Sequence, residues 1–423
     1  MLVAGVLIII ILALVVLLER VPNTTLLAYF VIYSGFLGLF DLSSIPGLSV
    51  QNLLFLFSAA MAVMLAMNGL GSLLRSLPWQ LYLFLGFFFF GVAYPVIQGN
   101  SNVVSALTDG KDLLAYTLLG YLVLMRDRLN FRLIIGFLLL HAYLMTGWLV
   151  LFALTGFFPP AYEPVGEQGG LHLLFASVIA LAFFFQLVRT RENATPAGWA
   201  GLLVLAVGLV IQPHRAVFLV TLAVLFGYWF VFGSIRERLL LTGVGIVMGA
   251  AVVAVIGLAP IINSLVGPFQ ELAQFEGAIG SRLNVAAVRI GLILQEPVFG
   301  YGFIDESSPM GAIIAERAAN RFEQTLGVVD AGYLDLAIRF GLVGVVAFTA
   351  AYILLAYRGV FRSSEPIARM MGVFLASYLG IGLTWSVMTY IHGIVPACLA
   401  IFLMLYPSYW PYGRCRVADR HND

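Results

Sequence analysis

Leu2 to Leu18 reads LVAGVLIIIILALVVLL and is closed by Glu19-Arg20. A hydrocarbon core calls for about 20 predominantly apolar helical residues, somewhat fewer where a helix is short or anchored at its ends. The run lacks a basic leading region and a small-residue cleavage site, so it is expected to be a first membrane span and not a removable signal. Reading outward from it, similar runs recur at 24–40, 52–67, 79–97, 113–125, 133–155, 171–188, 197–211, 216–232, 239–259, 333–357, 370–390 and 393–406. They predict an all-α, polytopic transmembrane helix bundle of about 12–13 spans.

Composition carries the same message. Hydrophobic residues make up 61% of the 423 and charged residues 10%, and the mean hydropathy is +1.01. Those values lie far from a soluble domain. A net charge of +1 with no basic tail gives nucleic acid no footing as a partner, while membrane lipids are unavoidable ones. Cys398 sits in an apolar run and Cys415 in the tail, so neither a disulfide framework nor thiol chemistry follows.

Short loops rich in Arg and Lys stay on the cytoplasmic side. Taking alternate loops, one side collects Arg20, Arg75, Arg126, Arg128, Arg132, Arg189, Arg191, Arg236, Arg238, Arg358, Arg362, Arg369, Arg414, Arg416 and Arg420. The other holds Lys111, Arg215, Arg282, Arg289, Arg317 and Arg321, most of them in one long loop. The expected organisation is an N-terminal bundle over 1–259, a large outward-facing loop with amphipathic helices over 260–332, C-terminal spans over 333–406 and a cytoplasmic tail over 407–423.

That long loop interrupts the apolar pattern and is the expected working part, because long loops inside compact proteins are commonly functional. Within it, Ser281 to Leu294 reads SRLNVAAVRIGLIL. Arg282 and Arg289 are seven apart and share one helix face, an arrangement that suits a doubly charged ligand such as a pyrophosphate. Pairing with Glu271, Glu276 or Glu296 in a solvated helix is the alternative. Pro297 ends the helix, and the glycines of PVFGYGF around Tyr301 mark a turn that allows close backbone approach.

Two further positions stand out. In Val207 to Val220, VGLVIQPHRAVFLV, two apolar runs are separated only by Gln212, Pro213, His214 and Arg215 at the outer boundary. A guanidinium there either snorkels to the headgroups or meets a partner or ligand in a cavity. Asp330 opens VDAGYLDLAIRFGLVG and is either a helix N-cap or an acceptor-side carboxylate. Asp335 and Arg339, four apart inside the next span, are expected to be a structural pair. His172, His214 and His392 lie near the outer side but are too scattered to predict a metal site, and no metal or other cofactor is called for.

The order of these pieces resembles the O-antigen ligase and polysaccharide polymerase superfamily of bacterial envelopes. It consists of an Arg after a short outer break, a long outer loop with R-x6-R, then P-x-x-G-x-G, then a polar residue before a G-x-x-G span. The resemblance implies a multi-pass inner-membrane glycosyltransferase, metal-independent and inverting, that takes an undecaprenyl-diphosphate-linked oligosaccharide as donor and a glycan or lipid-glycan as acceptor. It implies roles for Arg215 and Arg282 in holding the donor diphosphate; the residues themselves add Asp330 as an acceptor-side catalytic carboxylate and Arg289, His214, Tyr301 and Tyr333 as substrate-contacting candidates. Where that family carries a His-Asn pair this chain has Asp330-Ala331, which leans toward a polymerase over a ligase that attaches a finished glycan to lipid or protein. A flippase and a chain-length regulator are the candidate protein partners. A lipid or solute transporter is the reading of another class, and it predicts paired internal repeats that the chain does not display.

Overall fold

The computed structural model describes residues 2–33, 50–68, 78–155, 171–211, 215–235, 238–239, 242–243, 246, 277–304, 308–317 and 332–413. Within them the protein is an all-α membrane bundle. In chain order the described helices include α1 (Leu2–Arg20), α2 (Pro22–Tyr33), α3 (Val50–Met67), α4 (Trp79–Ile97), α5 (Val103–Gly110), α6 (Thr117–Leu124), α7 (Phe131–Thr155), α8 (Leu171–Glu192) and α9 (Pro196–Ile211). They continue with α10 (Arg215–Phe232), α11 (Gly277–Gln295), α12 (Pro309–Arg317), α13 (Gly332–Tyr357), α14 (Pro366–Ile381) and α15 (Ile391–Leu405). Trp79–Ile97, Phe131–Leu151 and Gly332–Arg362 are long and apolar enough to cross a membrane, alongside shorter apolar helices such as Pro196–Ile211 and Ile391–Leu405. The expected span at 239–259 lies largely outside the described residues.

Many large apolar side chains among the described residues face outward. Ile9, Val104, Phe230 and Leu342 are each more than half exposed. In water such a surface would drive aggregation, and against acyl chains it is at rest. α15 is buried along nearly its whole length and packs against α14, α8 and α6, as a helix apolar on every face must. Buried phenols hold the helix ends around it. Tyr33 donates to the carbonyl of His392 at 2.9 Å, Tyr378 to that of Gly393 at 2.7 Å and Tyr116 to that of Met388 at 2.8 Å. Each satisfies a carbonyl that lipid could not.

Two expected spans are broken. The run at 113–125 begins as a 3-10 turn, Lys111–Tyr116, before α6, with Thr117 donating back to Leu114 and across to Ser58 of α3. The run at 370–390 stops at Ile381, and residues 382–390 form a turn that buries Trp385, Val387 and Met388. Buried coil of this composition has the hydropathy of a helix, so a window average merges the two.

Loops that the charge rule assigns to one side meet one another. Asn23 accepts from the Asn130 amide and donates to the Arg128 carbonyl, Tyr409 bonds Asp127, and Trp410 donates to Glu192 at 2.9 Å. On the other side, the Met310 amide bonds the Asn100 carbonyl at 3.1 Å, the Tyr333 amide bonds that of Gly382 at 3.1 Å, and the Ile391 amide bonds Asp112 at 3.3 Å.

The feature that positions this second set is a break in α13. Gly341 has φ 60° and ψ −163°, so the helix is two half-helices. The segment Pro297–Gly302 fills the gap. Tyr301 and Gly302 amides donate to the carbonyls of Ile338 and Arg339, both at 2.8 Å, and the Leu342 amide donates to the Pro297 carbonyl at 2.8 Å. Gly300 has φ 65°, and a Cβ on it would stand 2.7 Å from the Gly341 nitrogen. Gly300→Ala therefore meets both backbone strain and a collision, and is expected to lower stability by roughly 1–3 kcal/mol or more. Gly99→Ala, at φ 73° with open space around it, meets strain alone, and Gly86→Ala meets neither. Thermal midpoints of the three variants in detergent, falling furthest for Gly300→Ala and least for Gly86→Ala, check this.

Candidate functional site

The break in α13 gathers charge. Asp335 and Arg339, expected as an i, i+4 pair, do pair, with Arg339 Nε 2.8 Å from Asp335 Oδ1. The guanidinium also reaches Asp109 at the end of α5, Nη1 to Oδ2 at 2.5 Å. Asp109 Oδ2 accepts the Ile304 amide as well, at 3.1 Å, and Asp335 Oδ2 accepts from Thr389 Oγ1 at 2.8 Å. One arginine thus joins α5, α13, the 297–304 segment and the turn after α14. A half-buried guanidinium shared between two carboxylates, one of them also held by the Thr389 hydroxyl, is held in one geometry, since each contact removes a freedom the others need.

Phe303 completes the joint. Its amide donates to the Gly91 carbonyl of α4 at 2.8 Å, and the Arg339 guanidinium lies 5.6 Å from its ring centre. A Cβ at Gly91 would stand 2.6 Å from the ring, and one at Gly110 would overlap it too. Two glycines on two helices make the hole that this ring occupies.

Asp109 and Asp112 lie in the segment between two spans. Burial pushes the Asp109 carboxyl above its ordinary range, against the opposing pull of Arg339. Burial likewise pushes Asp112 up to about 6, opposed by the Ile391 amide and Lys111. Neither aspartate is singled out by the sequence pattern. The available signal is their position, two carboxylates flanking Gly110-Lys111 directly before an apolar run, where charge is expensive.

The expected site residues distribute around this joint. Arg289 of α11 is buried, and its charge is close enough to interact with that of Asp335. Arg282 lies two turns earlier on the same helix, with its side chain outside the described residues. Tyr301 is buried and its hydroxyl donates to the Leu292 carbonyl at 3.2 Å, closing α11 onto its own following turn. Tyr333 is half-buried and donates to the Leu379 carbonyl at 2.8 Å.

Arg215 is the first residue of α10, which packs on α14, where Val220 fills the space over Gly380. This brings the start of α10 toward the α14 end that Tyr333 caps. The Arg215 side chain, all of His214 and all of Asp330 lie outside the described residues. Gly332, two residues after Asp330, rests against the backbone of Trp385 and Ser386. His392 is buried between the rings of Tyr33 and Tyr390, at 5.4 and 5.0 Å. Among the described residues no group of three or more His, Cys, Asp or Glu side chains is placed to hold a metal ion.

The arrangement presents two arginines of one helix, docked through a loop onto a broken membrane helix. Arginines set two turns apart on one helix are a spacing suited to an anionic group carried at the bilayer surface. No curated protein matches the sequence. The family model described as O-antigen ligase matches residues 200–349, a stretch that runs from α9 through Arg215, α11 and the 297–304 segment to beyond the break in α13. That stretch of the chain is similar to the O-antigen ligase family, a likeness that supports the O-antigen ligase and polymerase superfamily of membrane glycosyltransferase-like enzymes.

Proposed function

We propose that this protein is a bacterial inner-membrane polysaccharide polymerase, which transfers a growing glycan from an undecaprenyl-diphosphate donor to a second lipid-linked oligosaccharide on the outer leaflet. The observation that carries the reading is α11, whose arginine face is anchored by the buried Arg289 and by the loop laid into α13, inside the segment that matches the family.

Arg215 and Arg282 clamp the diphosphate. An acceptor hydroxyl attacks the anomeric carbon from the face opposite the diphosphate. A new glycosidic C–O bond forms as the old C–O bond to the diphosphate breaks, and the electron pair departs on the diphosphate oxygen. Fixed guanidiniums stabilise that charge where water is scarce. The hydroxyl proton passes late to Asp330 and from there to water. His214 and Tyr333 line the acceptor side, while Tyr301 serves the site by closing the end of α11. Attack from the opposite face inverts the anomeric configuration, and the mechanism uses no metal. The long loop faces outward and the C-terminus faces the cytoplasm. A flippase delivers the donor, and a chain-length regulator sets when transfer stops.

Polymerase is favoured over ligase by Asp330-Ala331 at the place of the family's His-Asn pair. The test is purified protein in liposomes with lipid-linked oligosaccharide alone. A ladder of products, each longer by one repeat and still linked to diphosphate, is the expected result. Transfer only when lipid A-core or a protein acceptor is added would replace polymerase with ligase. Substrate crossing the bilayer with no new glycosidic bond would replace both with a transporter.

A further inference from the structure

We propose that Arg339 is a positioning residue, a latch that with Asp109 fixes the arginine-bearing helix α11 in register with the bundle so that the donor is gripped. The inference rests on the reading of α11 as the donor-diphosphate helix.

Arg339 is committed to the protein through two carboxylates. Its Nε and Nη1 are engaged by different carboxylates at 2.8 and 2.5 Å, and Phe303 stands against the guanidinium at 5.6 Å. Its own carbonyl accepts the Gly302 amide at 2.8 Å. A guanidinium held by two carboxylates from different elements ties those elements together.

What it acts on follows from connectivity. α11 ends at Gln295, and the docked segment begins two residues later at Pro297, so a slide of that segment along α13 moves the helix with it. Tyr301 binds the last turn of α11 through the Leu292 carbonyl, and Arg289 is buried where α11 meets α13. Asp109 is the anchor on the bundle side. Its Oδ2 alone receives both Arg339 and the Ile304 amide. Removing its charge releases the guanidinium and the loop together.

The residues involved are far apart in sequence, which is what a latch between separately built parts requires. Asp109 precedes Arg339 by 230 positions. Thr389, on the turn after α14, joins through Asp335 and keeps the second carboxylate aimed at the guanidinium. Arg282, two turns from Arg289, inherits its position from this joint. A grip that depends on placement is lost quickly, because displacements near 1 Å can cost about 100-fold in an oriented reaction.

The test uses Asp109→Asn, which keeps shape and loses charge, and Arg339→Lys, which keeps charge but cannot reach two carboxylates with one planar fork. Each is expected to raise the KM for lipid-linked donor roughly 10-fold in the folded fraction, with the acceptor KM unchanged. The double variant is expected to be less than additive, since both variants break the shared Arg339–Asp109 contact. A purely structural role would lower the amount of folded protein and leave the donor KM of the remainder as it was.

A second measurement does not depend on transfer. Ile304→Cys, at a buried position in a chain with Cys398→Ala and Cys415→Ala, is expected to resist a membrane-impermeant maleimide in intact cells. Adding Asp109→Asn is expected to expose it to labelling. An unchanged donor KM, or a cysteine at 304 as protected with Asp109→Asn as without it, overturns the latch. Wild-type protein that transfers no glycan, with the labelling pattern as expected, overturns the proposed reaction and leaves the latch standing.

Discussion

Arg282→Lys is expected to lower glycan transfer by about 100- to 1,000-fold, while Arg317→Lys and Arg321→Lys leave it near wild type. The charge survives in all three, so the difference isolates geometry. A guanidinium gives a diphosphate two parallel N–H donors in one plane, and an ammonium is a point charge that cannot match them. Arg282 shares a helix face with Arg289, whose side chain is buried at the junction with α13, and stands two turns further from that junction. Arg317 closes α12, beyond the docked segment. The measurement is transfer from a lipid-linked oligosaccharide in reconstituted membranes, with protein amount followed in parallel. Equal rates for the three variants would remove Arg282 from the diphosphate clamp.

Asp330→Asn separates chemistry from capping. If Asp330 orients the acceptor hydroxyl and takes its proton, the amide lowers transfer by roughly two to four orders of magnitude while expression holds, because Asn caps a helix about as well as Asp. A cap alone predicts the reverse, with Asp330→Asn active and Asp330→Ala destabilised by only about 1 kcal/mol. Wild-type transfer by Asp330→Asn would hand the acceptor side to His214 or His392. His392 would then have to turn out from between Tyr33 and Tyr390, where its ring is buried.

The spans at α4, α7 and the bulk of α13 were legible because apolar length against lipid is a one-dimensional property of sequence. The Asp335–Arg339 pair was legible for a similar reason, since four residues on a helix are one turn. Asp109 was not, because nothing local connects it to Arg339. The turn at 382–390 was hidden by its own burial, which gives coil the hydropathy of a span. PVFGYGF was legible as a turn and not as the missing backbone partner of a broken helix, because that role exists only once Gly341 is bent. The R-x6-R spacing gave one shared face. It did not distinguish the arginine that is buried in the joint from the one that lies beyond it.

A helix interrupted at Gly341 cannot be finished by its own residues, and this bears on how the chain is made. Inside hydrocarbon, each unpaired amide or carbonyl costs several kcal/mol, so α13 has no stable resting form as an isolated insertion. The groups that complete it belong to Pro297, Tyr301 and Gly302, and those in turn lean on Gly91 and Asp109, synthesised long before. During biogenesis the early helices must already stand as a template when the later segment comes back to them. Membrane insertion here is therefore not a succession of independent threading steps, and the last third of the polypeptide becomes a bilayer-compatible object only by assembling on the first.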